Sequence, residues 1–170
     1  TTDVTKSNSA AMYLSIVSYV ANQDNIAQQD DISRVAKGIA DLFLLQGFQA
    51  SSSQTPFDDY RAMGMGKAPL VMIYEAQFLY EAARDNSSIR PGEMVLLYPE
   101  PTVFAKHIVI SLNEKGELLG EALLNDPDLQ QLAIEHGFRT TDVGAFRSFA
   151  ENSGVNVPDN LVNVIEPPSY

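Results

Sequence analysis

Apolar positions along this chain switch between two spacings, one helical and one strand-like. Within residues 10–21, Met12, Ile16 and Tyr19 form one stripe and Tyr13, Val17 and Val20 an adjoining one, just after the N-cap chemistry of Ser7-Asn8-Ser9. That spacing predicts a first helix that is largely buried. After a polar loop over residues 22–30, Asp30-Asp31 precedes Ile32, Val35, Ile39, Leu42 and Phe43, which share one face of a second helix that Gly47 is placed to end. Phe48 and Gln49 are expected to begin a short strand. Ser51-Ser52-Ser53-Gln54-Thr55 follows as a hydroxyl-rich loop, and Pro56 stands at a favoured first helical position for a short helix over residues 57–63, which Gly64-Met65-Gly66 breaks.

The strongest strand signal is Ala68-Pro69-Leu70-Val71-Met72-Ile73-Tyr74-Glu75-Ala76-Gln77, an apolar run that ends on a phenol and a carboxylate and passes into a helical pattern. Without alternation, such a run is expected of a strand covered on both faces, as in a parallel sheet sandwiched by helices. A helix over residues 76–84 follows, with Phe78 and Leu79 inward. Residues 94–98 and 107–112 give two further strands, and the prolines on both sides of Glu100 suggest a chain crossing between bodies. Two helices over 117–124 and 127–136, split at Asn125-Asp126-Pro127, and a short one near Phe146 complete the pattern. There is no internal repeat. The expected class is α/β, a three-layer sandwich around a mainly parallel central sheet.

Composition narrows the functions. With 45% hydrophobic and 19% charged residues the chain is in the globular range, long enough for one good core or one compact lobe plus part of a second. No segment is long enough to span a bilayer, so no membrane insertion is expected. A net charge of -11 without any basic cluster repels phosphate backbones and anionic lipid, which argues against a nucleic-acid partner. The absence of cysteine excludes a disulfide framework, a thiol nucleophile and a cysteine zinc site, and fits an exported protein as well as a cytosolic one. The opening Thr1-Thr2-Asp3 and the closing Val164-Ile165-Glu166-Pro167-Pro168-Ser169-Tyr170 both read as abrupt, so a piece of a longer chain is expected, its signal peptide not included.

In sheets of the expected kind, ligands sit beyond the carboxyl ends of the strands, where a following helix presents unpaired N–H groups. Two groupings suit that chemistry. The start of the first helix, with Ser7, Asn8 and Ser9, offers N–H groups, hydroxyls and an amide to a small anion or polar group; ordinary capping is the commoner role of such a start. Tyr74 and Glu75 can hydrogen-bond a ligand held against the next helix, or serve as a core aromatic and a helix-dipole partner. Ser53 and Thr55 lie in a third set of donors, although such loops are most often solvated turns. Gly64-Met65-Gly66-Lys67 precedes a strand, whereas a phosphate loop must follow one, so it is rejected. The two histidines, His107 and His136, stand beside no activated nucleophile and in no metal-ligand spacing, and His136 is placed to cap helix carbonyls. No catalytic residue, metal site or cofactor is expected.

Five segments in order, Asp3 to Ser9, Ala68 to Glu75, Tyr98-Pro99-Glu100-Pro101, Asp126-Pro127-Asp128-Leu129-Gln130-Gln131-Leu132-Ala133 and His136-Gly137-Phe138, resemble the bacterial extracellular solute-binding proteins of ABC transporters, over about Thr1 to Thr140. The likeness is greatest to the branch containing the molybdate-binding proteins, of the type II periplasmic binding fold. It implies a two-lobed α/β protein, not an enzyme, that traps a small polar or anionic solute between its lobes. The solute, an oxyanion in the molybdate branch, would then be delivered to a membrane permease. Residues 1–100 would form one ligand-binding lobe and 101–170 the crossover and a segment of the other lobe, incomplete here. It further implies a periplasmic or extracellular location, and solute contacts at Asn8, Ser9, Tyr74 and the region of Ser53 and Thr55. Glu75 departs from the molybdate pattern, since a carboxylate near a dianion costs binding energy unless it points away or is protonated. Two alternatives stand beside this reading: the ligand-sensing domain of a cytoplasmic transcription regulator, and a serine hydrolase in which His107 or His136 reaches a serine near Ser7 or Ser51.

Overall fold

A computed structural model of the chain describes residues 1–166 except Phe48, Lys67, Arg90, Pro91 and Val162, with the backbone alone at Met65. Its regular structure is helical: α1 (Asn8–Ala21), α2 (Ile32–Leu44), α3 (Gln54–Met63), α4 (Glu75–Ala82), α5 (Glu114–Asn125), α6 (Pro127–Glu135) and α7 (Val143–Asn152), with a 3-10 turn at Gly64–Gly66. The chain divides into two compact units. The first takes Thr1–Tyr74, Tyr98–Phe104 and the stretch from Leu161 onward; the second takes Glu75–Leu97 and Ala105–Asn160.

The three-layer α/β sandwich with a mainly parallel central sheet is therefore corrected. Among the described residues there is no sheet, and pairing is limited to one isolated parallel bridge between Thr102 and Val164. Residues 70–74, 94–98 and 107–112, expected as strands, run without a ladder partner, as does Gln49; Phe48, expected to open a strand with it, lies outside the described residues. Several of their apolar side chains are not covered as a central strand requires, although Met94 is buried: Leu70 is 75% exposed, Ile108 78%, Ile110 79% and Leu112 88%. The cause is the difference between a local preference and a long-range one. Branched residues such as Ile108, Val109 and Ile110 restrict their own χ1 and disfavour helix, which the pattern records. A sheet also needs a second segment to exchange hydrogen bonds with, and a one-dimensional pattern does not name that segment.

In the first unit, α1 packs against α2, with the rings of Tyr13 and Phe43 5.6 Å apart. The buried side of α1 holds Ser9, Ala10, Ser15 and Ile16, while Val20 is 52% exposed, so this helix is covered on one side rather than largely buried. Val35 and Ile39 of α2 and Phe57 of α3 complete the apolar interior. In the second unit α5 packs on α6 and α6 on α7, and Phe78, Leu79, Ile134, Phe146 and Ala150 are buried. Phe78 and Leu79 thus lie on the inner side of α4, as their spacing predicts.

Helix α6 starts where a proline can sit without losing a hydrogen bond, and Asp126 closes its open end by accepting from the N–H groups of Asp128 (3.0 Å) and Leu129 (3.1 Å). Replacing Asp126 with Ala removes that acceptor and is expected to cost about 1 kcal/mol in a urea titration. A change under a few tenths would show that water caps this helix equally well.

Candidate functional site

Helix α1 begins after an extended residue, Ser7 (φ -129, ψ 128), whose carbonyl accepts the first helical bond from Ala11 N–H. Its side chain does not cap the helix; Ser7 Oγ pairs with Ser9 Oγ at 2.8 Å, and Ser9 Oγ pairs with Thr2 Oγ1 at 2.8 Å. The N–H groups of Asn8, Ser9 and Ala10 find no acceptor among the described residues, and no acidic residue occupies the first turn. The front of α1 is therefore a set of backbone donors carrying the positive end of the helix dipole and flanked by a chain of hydroxyls.

Tyr74 reaches this front from 66 residues away. Asn8 Nδ2 donates to the Tyr74 phenol oxygen at 3.3 Å, on an exposed part of the first unit. Asn8 is exposed, Ser7 and Tyr74 are half-buried, and Ser9 is buried. A solute meeting this surface finds an amide, a phenol and helix N–H groups in one place, with the Ser9 hydroxyl held beneath by Thr2 and Ser7.

The α3 front is tied to the same region through the backbone, because Asp3 N–H donates to the Ala50 carbonyl at 3.0 Å, shortly before each helix starts. Ser53 is the N-cap of α3 and is buried without a side-chain cap bond, whereas Thr55 is exposed in its first turn. Here it is the Ser52 hydroxyl that accepts, from Gln54 N–H at 3.2 Å. The structure thus brings Ser7, Asn8, Ser9 and Tyr74 together and sets Ser53 and Thr55 on the neighbouring helix front.

Glu75 belongs elsewhere. Its carboxylate is held by Arg139 of the second unit, which donates from Nε at 2.7 Å and from Nη2 at 2.8 Å in a two-point ion pair. The charge that would oppose an anion is thereby matched by a guanidinium. Sequence reading missed both this partner and Thr2, because a pairing across 64 residues and a hydroxyl in the first two residues carry no periodic signal. The histidines have structural contacts: His136 Nδ1–H donates to the Leu132 carbonyl at 2.9 Å while its ring stacks on Tyr80, and His107 packs against Phe138. Among the described residues no cluster of three or more metal-binding side chains occurs.

No protein-family model, characterised protein or solved structure matches the chain.

Upstream of α1, the Thr5 hydroxyl (2.7 Å) and Thr5 N–H (2.9 Å) bond the Asp3 carboxylate, and with Lys6 nearby they hold its pKa down to about 2. A depressed carboxylate stabilises the fold above its ordinary pKa of 3.8, and that contribution is lost as pH falls toward about 2. Asp31, held down by Gln28 N–H and Arg34, and Asp58, held down by Arg61, act in the same direction. In acid titrations followed by circular dichroism, Asp3→Asn is expected to lose less stability than the parent chain between about pH 4 and 2. Identical acid profiles would remove Asp3 from this account.

Proposed function

We propose that this chain is a solute-binding element of an ABC-type import system, acting in the periplasm or outside the cell. The front of α1 and Tyr74 take up a small polar or anionic solute reversibly and pass it to a membrane permease. The observation that carries the reading is the bond of 3.3 Å between Asn8 Nδ2 and the Tyr74 phenol, which joins an amide-rich helix start to a phenol from a distant segment. Anions favour such a helix front through its N–H groups and dipole, and a neutral polar solute can use the same donors. The corrected sheet has no part in this support. Uptake and release require no covalent step, and none is proposed.

The test is a thermal-shift screen of the chain against molybdate, sulfate, phosphate, sugars and amino acids, followed by calorimetry on whatever raises the melting point. One solute class is expected to bind, and Tyr74→Phe, which keeps the ring and removes the hydroxyl, should weaken it about tenfold, the worth of one hydrogen bond. Unchanged affinity in Tyr74→Phe, or no shift with any solute at millimolar concentration, would overturn the reading.

A further inference from the structure

We draw no further inference here: the strongest candidate, the exposed apolar segment at residues 107–112 beside the outward leucines of α5 in the second unit, is an unpartnered face and nothing in the structure shows what covers it.

Discussion

Gly137→Ala is expected to destabilise the second unit by about 3 kcal/mol or more, through two separable costs. The first is conformational. Gly137 has φ +82 and ends α6 in a left-handed turn, with its N–H donating to the Ile134 carbonyl (2.8 Å) and Phe138 N–H donating to the Ala133 carbonyl (3.0 Å). An L side chain in that conformation costs roughly 1–2 kcal/mol. The second cost is steric: a Cβ there would lie 2.6 Å from the Ala76 carbonyl oxygen and 2.9 Å from Ala76 Cα, both backbone atoms of α4. Backbone cannot swing aside as a flexible side chain can, so α4 and the end of α6 would have to separate and disturb the buried Leu79. Gly47→Ala is the control, because φ is +70 there and nothing lies within 4 Å. Urea titrations should give the control only the conformational cost. Equal losses in the two variants would show that the close approach of α6 to α4 is not what Gly137 permits.

Two residues further on, Arg139→Ala is expected to cost about 2–3 kcal/mol, less than a fully buried pair because both side chains keep a fifth or more of their exposure. The guanidinium does four things at once. It grips both oxygens of Glu75, donates to the Pro158 carbonyl at 3.0 Å, approaches the Asp159 carbonyl at 3.5 Å, and lies 4.7 Å from the centre of the Phe146 ring. Truncation takes both guanidinium donors from a half-buried carboxylate and one from a carbonyl, which is costlier than losing the attraction alone. Lysine cannot make the two-point contact, so Arg139→Lys should recover little. A double-mutant cycle with Glu75→Gln should return a coupling of about 1 kcal/mol or more. Additive single losses would mean that Arg139 acts through Phe146 and the carbonyls rather than through Glu75.

These two sites also separate what the sequence discloses from what it withholds. His136-Gly137-Phe138 could be recognised as the end of a helix, since a glycine after an amphipathic run is a local sign with a local cause. Its second role, admitting the backbone at Ala76, could not be recognised, because that contact joins positions 61 residues apart by their numbering. The same holds for Glu75, a plausible ligand contact from its place after Tyr74 but matched in the structure by Arg139. Helices were legible because periodicity and caps act within a few residues: α6 falls within a residue of its expected bounds, and α2 begins after Asp31 as expected although it ends at Leu44, short of Gly47. Residues 107–112 were misread for the converse reason, since a buried strand and an unpaired apolar segment have the same letters. At the candidate site, the nearness of Asn8 and Tyr74 was a spatial inference from placing both at one sheet edge. The two groups do meet, with no such sheet among the described residues.

The first unit is completed late. Thr102 N–H donates to the Asn163 carbonyl (3.2 Å) and Ile165 N–H to the Thr102 carbonyl (2.9 Å), so a stretch beyond Leu161 closes a body whose first helix begins at Asn8. A ribosome joins the last residue of Ala105–Asn160 before that closing stretch exists. The second unit therefore has its full set of residues while the first still lacks its last backbone partners. A chain released after residue 160 should therefore resist protease in the second unit while losing that resistance in the first.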